Sequence, residues 1–188
     1  MRPDYGSLPD GELATLAAAG GDAAFSEMLR RHRSHVYRLI VGNVADADEA
    51  LDLTQETFVS AHRALRRYDP ERPMRAWLAA IAINKCRDWG RRRAVRRFLT
   101  FARSIDEVVE AVPAEDPGHD VVAADRQELD RLRREIADLP ASLREPLVLH
   151  TVEGMSQAET AAVLSITEKA VETRLRRARI KLAERLGR

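Results

Sequence analysis

The chain holds a single cysteine, Cys86, which excludes an internal disulfide framework and any cysteine-based zinc cluster. Aromatic residues are only 5% of the 188, and glycine (9) and proline (8) are few. Large β-sandwiches and barrels draw on more aromatic, β-branched and turn residues than this, so helix is favoured. No run approaches the ~20 apolar residues of a membrane span. The start, Met1-Arg2-Pro3-Asp4-Tyr5-Gly6, lacks the apolar stretch of a secretory signal. A soluble cytoplasmic protein is expected, without direct membrane insertion. Hydrophobic residues reach 45%, enough for packed cores and against wholesale disorder.

Net charge is also scarce, at +1, yet 32% of the residues are charged, so their distribution carries the information. Between Asn84 and Arg103 stand Lys85, Arg87, Arg91, Arg92, Arg93, Arg96, Arg97 and Arg103 against Asp88 alone, a net of +7. Ser104 to Asp138 carries −7, and Glu168 to Arg188 carries +5. A lone charged block is ordinarily a solvated face. Two basic blocks, each ending a helical pattern, point toward polyanion binding.

Helical periodicity runs along most of the chain. Capping residues in Ser7–Glu12 precede Leu13, Leu16 and Ala17, and Gly20-Gly21-Asp22 ends that short helix. From about Ala23, the residues Phe25, Met28, Leu29, His32, Val36, Leu39 and Ile40 recur at helical spacing. Ala47, Leu51, Thr54, Phe58, Ala61 and Leu65 then predict one apolar face, opposite Asp48, Asp52, Gln55, Glu56, Ser60 and Arg63. Tyr68 to Pro73 reads as a polar loop, since its prolines cannot continue a helix. A helix from near Arg75 carries Trp77, Leu78, Ile81, Ala82 and Cys86 to Trp89. The acidic stretch Val112–Asp120, broken by proline and glycine, reads as a linker. Leu129, Leu132, Ile136 and Leu139 restore the helical period until Pro140. Ser142 is the expected cap of a helix through Leu143, Leu147, Val148 and Val152, closed by Gly154. Ser156-Gln157-Ala158-Glu159 has the capping-box pattern, and a final helix places Val171, Leu175, Ala178 and Leu182 on one stripe.

The last two helices and their short turn have helix-turn-helix spacing. With the Val171/Leu175/Ala178 stripe turned inward, Glu168, Lys169, Glu172 and Thr173 are placed to meet base edges, while Arg174, Arg176, Arg177 and Arg179 suit phosphates. A solvated basic helix end is the plainer alternative. Trp77 reads as core. Trp89, with Asn84, Arg87 and Arg91, offers a candidate groove for single-stranded nucleic acid, although an aromatic at helical spacing is more often core. His32 and His35 stand three apart, but no carboxylate pattern or cysteine completes a metal site. No phosphate loop, nucleophile elbow or triad is present, so neither a catalytic site nor a cofactor is expected.

Several segments together resemble bacterial RNA polymerase sigma factors of the extracytoplasmic-function (ECF) group. They are Asp52-Leu53-Thr54-Gln55-Glu56-Thr57-Phe58-Val59, then Ala76-Trp77-Leu78-Ala79-Ala80-Ile81-Ala82-Ile83-Asn84 and Arg91-Arg92-Arg93. Leu139-Pro140 through Leu147, Glu153 through Ala161, and Lys169 through Arg179 continue the likeness in the same order. Gly90 and Ser165 depart from the commoner pattern, glycine being unfavourable inside a helix and Ser165 standing where a turn glycine is usual.

The resemblance implies an all-α chain of two small helical domains. These are a sigma-2 bundle over 20–98 and a sigma-4 helix-turn-helix domain over 128–187, joined by a flexible acidic linker over 99–127. It implies that Asp48, Asp52, Gln55 and Glu56 dock on the β′ clamp helices of core RNA polymerase. Tyr68, Asp69, Arg72 and Asn84 would then capture a flipped base of the −10 element, with Trp89 beside them. Arg87, Arg91, Arg92 and Arg93 would grip phosphates at the fork. Sigma-4 would read the −35 major groove and touch the β flap. An anti-sigma factor restraining the protein is expected from the same resemblance. The alternative is a stand-alone helix-turn-helix regulator, which predicts tight duplex binding without polymerase.

Overall fold

The computed structural model describes residues 4–103 and 121–187. Among them there are eight α-helices and no strand. The N-terminal module is built from α1 (Asp10–Ala18), α2 (Asp22–Val44), α3 (Ala47–Ala64) and α4 (Met74–Arg103). The C-terminal module holds α5 (Val121–Ala137), α6 (Ala141–Leu147), α7 (Gln157–Leu164) and α8 (Glu168–Leu186).

Helix ends follow local chemistry. Pro9 precedes α1, and Asp46 caps α3 by accepting from the Glu49 N–H at 3.0 Å. Ala45 closes α2 in the left-handed region, φ 54°. Arg31 ties the N-terminal segment to α2, donating to the carbonyls of Tyr5, Gly6 and Leu8 at 2.7–2.9 Å and to Asp10 at 3.1 Å. Gly90 does not interrupt α4, which continues to Arg103. Helix therefore enters both ends of the stretch expected to be linker, through α4 over 99–103 and α5 from Val121. The Val112–Asp120 stretch lies outside the described residues.

The expected inward face of α3 holds at Thr54, Phe58, Ala61 and Leu65 but not in the first turns. Ala47 and Leu51 are exposed, and the helix buries Ala50, Leu53, Thr54, Thr57, Phe58 and Ala61. Two threonines can sit inward because each hydroxyl donates to the carbonyl four residues back, at 2.7 Å. Ser142 is not a cap either. Pro140 occupies the N-cap of α6, and Ser142 lies inside the helix. The single helix expected through Val152 stops at Leu147 and passes into a wide turn over Val148–Val152, where the Glu153 N–H reaches back five residues to the Val148 carbonyl. Pro146 has no N–H to give, so the regular ladder is already broken there.

The modules are not separate bodies. Val148, Leu149, Met155 and Leu164 of the C-terminal module lie in one core cluster with Leu13, Met28, Leu39, Leu53, Leu78 and Ile83. A smaller cluster of Leu139, Leu147, Ala161, Val171, Leu175 and Ala178 holds the C-terminal helices together. Each fully buried Leu or Val contributes about 1.5–3 kcal/mol, so the shared residues hold the modules firmly against each other. Gly42 permits the close approach, since a Cβ there would lie 3.0 Å from Val148 Cγ1.

Candidate nucleic-acid and polymerase interfaces

Helix α7, the turn Ser165–Thr167 and α8 form the helix-turn-helix. Ser156 accepts from the Glu159 N–H at 3.1 Å while Glu159 accepts from the Ser156 N–H at 2.8 Å, a complete capping box. Ser165 turns the chain in the left-handed region, φ 56°, and Thr167 caps α8 through the Ala170 N–H. Burial of Val171, Leu175 and Ala178 orients α8. Glu168, Lys169, Glu172, Arg176, Arg177 and Arg179 are then exposed, and Thr173 and Arg174 are partly buried. Lys169 pairs with Glu172 at 2.7 Å, and the Thr173 hydroxyl donates to the Lys169 carbonyl, so these two pairs pre-order the first turns. The Lys169 pair holds the Glu172 carboxyl below its usual range. Arg185 reaches Glu135 at 3.3 Å and fastens α8 to α5.

The second basic set lies along α4 and the loop before it. Asp69, Arg72, Asn84, Arg91, Arg92 and Arg93 are exposed. Arg72 pairs with Asp69 at 3.6 Å, and Arg91 pairs with Asp88. Two aromatics expected beside the nucleic acid are turned inward. Tyr68 is buried, its hydroxyl donating to the Arg72 carbonyl and its ring lying 4.9 Å from that of Trp77. Trp89 is 7% exposed and lies in the larger core, with the Arg93 guanidinium 5.0 Å over its ring. Neither ring offers a free face for stacking a base, so both act as supports for the loop and for Arg93. Cys86 is buried one turn before, and burial pushes its thiol up to about 12.

The acidic face of α3 proves to be mixed. Asp48, Asp52 and Gln55 are exposed, together with Leu51 at 42% and Val59 at 50%. Glu56 is partly buried and pairs with Lys85 of α4 at 3.4 Å. Gln55 and Val59 border a groove of about 460 Å³ between α2 and α3, floored by Phe25, Leu29 and Phe58 and edged by Arg33 and Arg63. Exposed Leu51 and Val59, the latter beside an apolar groove with a basic edge, set this side of α3 apart from a merely solvated helix face. Periodicity hid the exposure of Leu51, which it placed inside.

His32 and His35 share no site. His32 pairs with Asp10 at 2.9 Å, and His35 with Glu153 of the C-terminal module. Among the described residues, no group of three or more histidines, cysteines and carboxylates is placed to hold a metal. No helix among them is long and apolar enough to cross a membrane.

The fold and its two basic surfaces define an all-α DNA-reading protein with a helix-turn-helix module packed on a larger helical bundle. Comparison with known proteins gives the family. Residues 28–105 match the family model for Sigma-70 region 2, and residues 129–182 match that for Sigma-70, region 4. The RNA polymerase sigma factor CnrH of Cupriavidus metallidurans is 40% identical over 173 residues, covering 91% of each chain. The ECF RNA polymerase sigma factor SigE of Mycolicibacterium smegmatis is 33% identical, covering 93% of this chain and 67% of that one. Among solved structures, CnrH in complex with the cytosolic domain of CnrY superposes with a TM-score of 0.69 at 35% identity, covering 95% of this chain and 97% of that one. The chain belongs to the sigma-70 family, in its ECF group. It is an initiation factor without an enzymatic reaction of its own, which binds core RNA polymerase and directs it to promoter DNA.

Proposed function

We propose that three surfaces divide this work. The face of α3 formed by Asp48, Asp52, Gln55 and Glu56, with Leu51 and Val59 among them, binds the β′ clamp helices. The loop before α4, the exposed residues Asp69, Arg72, Asn84, Arg91, Arg92 and Arg93, and partly buried Arg87 engage the −10 element, where a base leaves the stack and phosphates meet guanidinium groups. The first turns of α8 read the −35 duplex through Glu168, Lys169, Glu172 and Thr173, held on the backbone by Arg174, Arg176, Arg177 and Arg179. The carrying observation is the orientation of α8, whose buried stripe leaves its basic side outward. The protein works where core polymerase is, in the cytoplasm.

An anti-sigma factor restrains it by competing for the α3 face. Support comes from the groove beside Gln55 and from relatives solved with such a partner, as CnrH is with CnrY. Initiation by purified core polymerase, with and without this protein, tests the whole reading. Promoter-dependent transcripts that require the protein, with feeble duplex binding by the protein alone, are expected. Tight duplex binding without any effect on initiation would leave the stand-alone regulator instead. Alanine at Asp52 and Gln55 is expected to weaken polymerase binding, read by titration of labelled protein with core enzyme.

A further inference from the structure

Helix α1 lies ahead of the stretch matched to Sigma-70 region 2, which begins at Met28, yet it is built into the bundle. Leu13, Ala14 and Ala17 are buried in the larger core cluster together with Leu65 and Tyr68. Asp10, in the first turn, pairs with both Arg31 and His32 of α2, at 3.1 and 2.9 Å. At the same end α1 meets the loop before α4. A Cβ at Gly11 would lie 3.1 Å from the Pro70 carbonyl oxygen and 3.2 Å from the Pro70 Cβ, tighter than side chains ordinarily pack. Gly11 sits inside α1 without a positive φ, so no turn requires it, and glycine is unfavourable in a helix. What it gives is room for Pro70. Beside that contact, Pro9, Glu12, Thr15 and Leu16 face Pro70 and Glu71 across a cleft of about 500 Å³.

The loop is braced from within at its base. The Tyr68 hydroxyl donates to the Arg72 carbonyl, its ring lies against Trp77, and the Glu71 N–H donates to Asp69 at 3.1 Å. Asp69, Pro70, Glu71 and Arg72 are exposed, so the tip rests on what Gly11 allows. We propose that α1 is a positioning element for this loop, with Gly11 the seat of Pro70 that sets where Asp69 and Arg72 stand. The inference rests on the reading that the loop, with Asn84, takes the flipped base of the −10 element. A loop fixed before DNA arrives loses less freedom on binding. Its polar groups hold one arrangement, so a base that does not match leaves them unpaired and is rejected. A side chain at residue 11 pushes Pro70 outward and carries Asp69 and Arg72 with it. The recognition helix α8, held in the smaller cluster, keeps its place.

The test uses the full chain assembled with core polymerase. Promoter DNA is first selected by the unaltered holoenzyme from a pool randomised across both elements. Variants are then measured on single-base changes of the selected sequence. A wrong base at a read position ordinarily weakens binding about five-fold or more. Gly11→Leu is expected to reduce that discrimination at least about three-fold at −10 positions and to leave it unchanged at −35 positions. Gly11→Ala is expected to fall between the two, and it carries the same comparison where Gly11→Leu does not fold. Ala14→Gly weakens the same helix from its buried side, and should lower stability while leaving −10 discrimination intact. Unchanged −10 discrimination in the Gly11 variants, with Asp69→Ala or Arg72→Ala abolishing it, would overturn the inference and leave the loop a DNA contact. Discrimination unchanged in all of them would overturn both readings. Equal losses at −10 and −35, or the same −10 loss in Ala14→Gly, would make α1 merely structural and overturn the inference as well.

Discussion

Two helices end on non-glycine residues in the left-handed region, Ala45 after α2 and Ser165 after α7. An L-residue there is strained by roughly 1–2 kcal/mol, part of which glycine recovers. Ala45→Gly and Ser165→Gly are each expected to stabilise the chain by up to about 1 kcal/mol, read by urea unfolding. Gly90 is the converse case. It sits inside α4 with open space where a Cβ would go. Gly90→Ala is expected to add about 0.5–1 kcal/mol, and a loss instead would mean that α4 needs to flex there. Cys86 tests the same region chemically. Buried, and with its thiol pushed up to about 12, it should resist alkylation at about pH 8 in the native protein and react once unfolded.

At the scale of elements, the capping box, the left-handed Ser165 and the Thr167 cap together set the angle at which α8 leaves α7. Ser156→Ala removes one half of the box and is expected to cost about 1 kcal/mol in unfolding of the protein. On α8, Arg176→Ala and Arg177→Ala should each weaken promoter binding by the assembled holoenzyme across sequences and reduce its salt slope by about one. A change in sequence preference instead would place these arginines on base edges. The α3 helix shows how far local pattern reaches. Its period was plain, but its phase was not. A 3.6-residue repeat containing threonine fits two rotations, and a hydroxyl that bonds its own helix made Thr57 as acceptable inside as Leu51. The exposure of Leu51 was lost with the phase.

The whole molecule is governed by contacts between modules, and these respond to acid. Burial by itself raises the Glu153 carboxyl, but the His35 hydrogen bond and the charges of His35 and Arg38 outweigh it and leave the group below its usual value of 4.5. A carboxyl lowered in the closed state favours closure fully above that ordinary value, and the contribution is lost as pH falls through the lowered one. The distance between dyes placed on α2 and α8 should therefore increase below about pH 4.5, before helix content is lost. Glu153→Gln should remove that step. An unchanged step in the variant would assign it to other carboxylates.

The helices, the helix-turn-helix and the family are legible in the order of residues. Each depends on residues close in the chain: apolar repeats, capping boxes, and motifs such as Asp52–Val59 and Lys169–Arg179. Most of the candidate site residues are exposed, because charged side chains on a helix seldom have anywhere else to go. The inward turn of Tyr68 and Trp89 came from long-range packing, since an aromatic at helical spacing serves a core and a stacking platform equally well in sequence. That packing alone brought Glu145 to Arg87 and Glu153 to His35, across separations of 58 and 118 residues. No local period encodes such pairs. They exist because Gly42 lets Val148 approach and two apolar surfaces, from halves that each fold by short-range rules, bury each other.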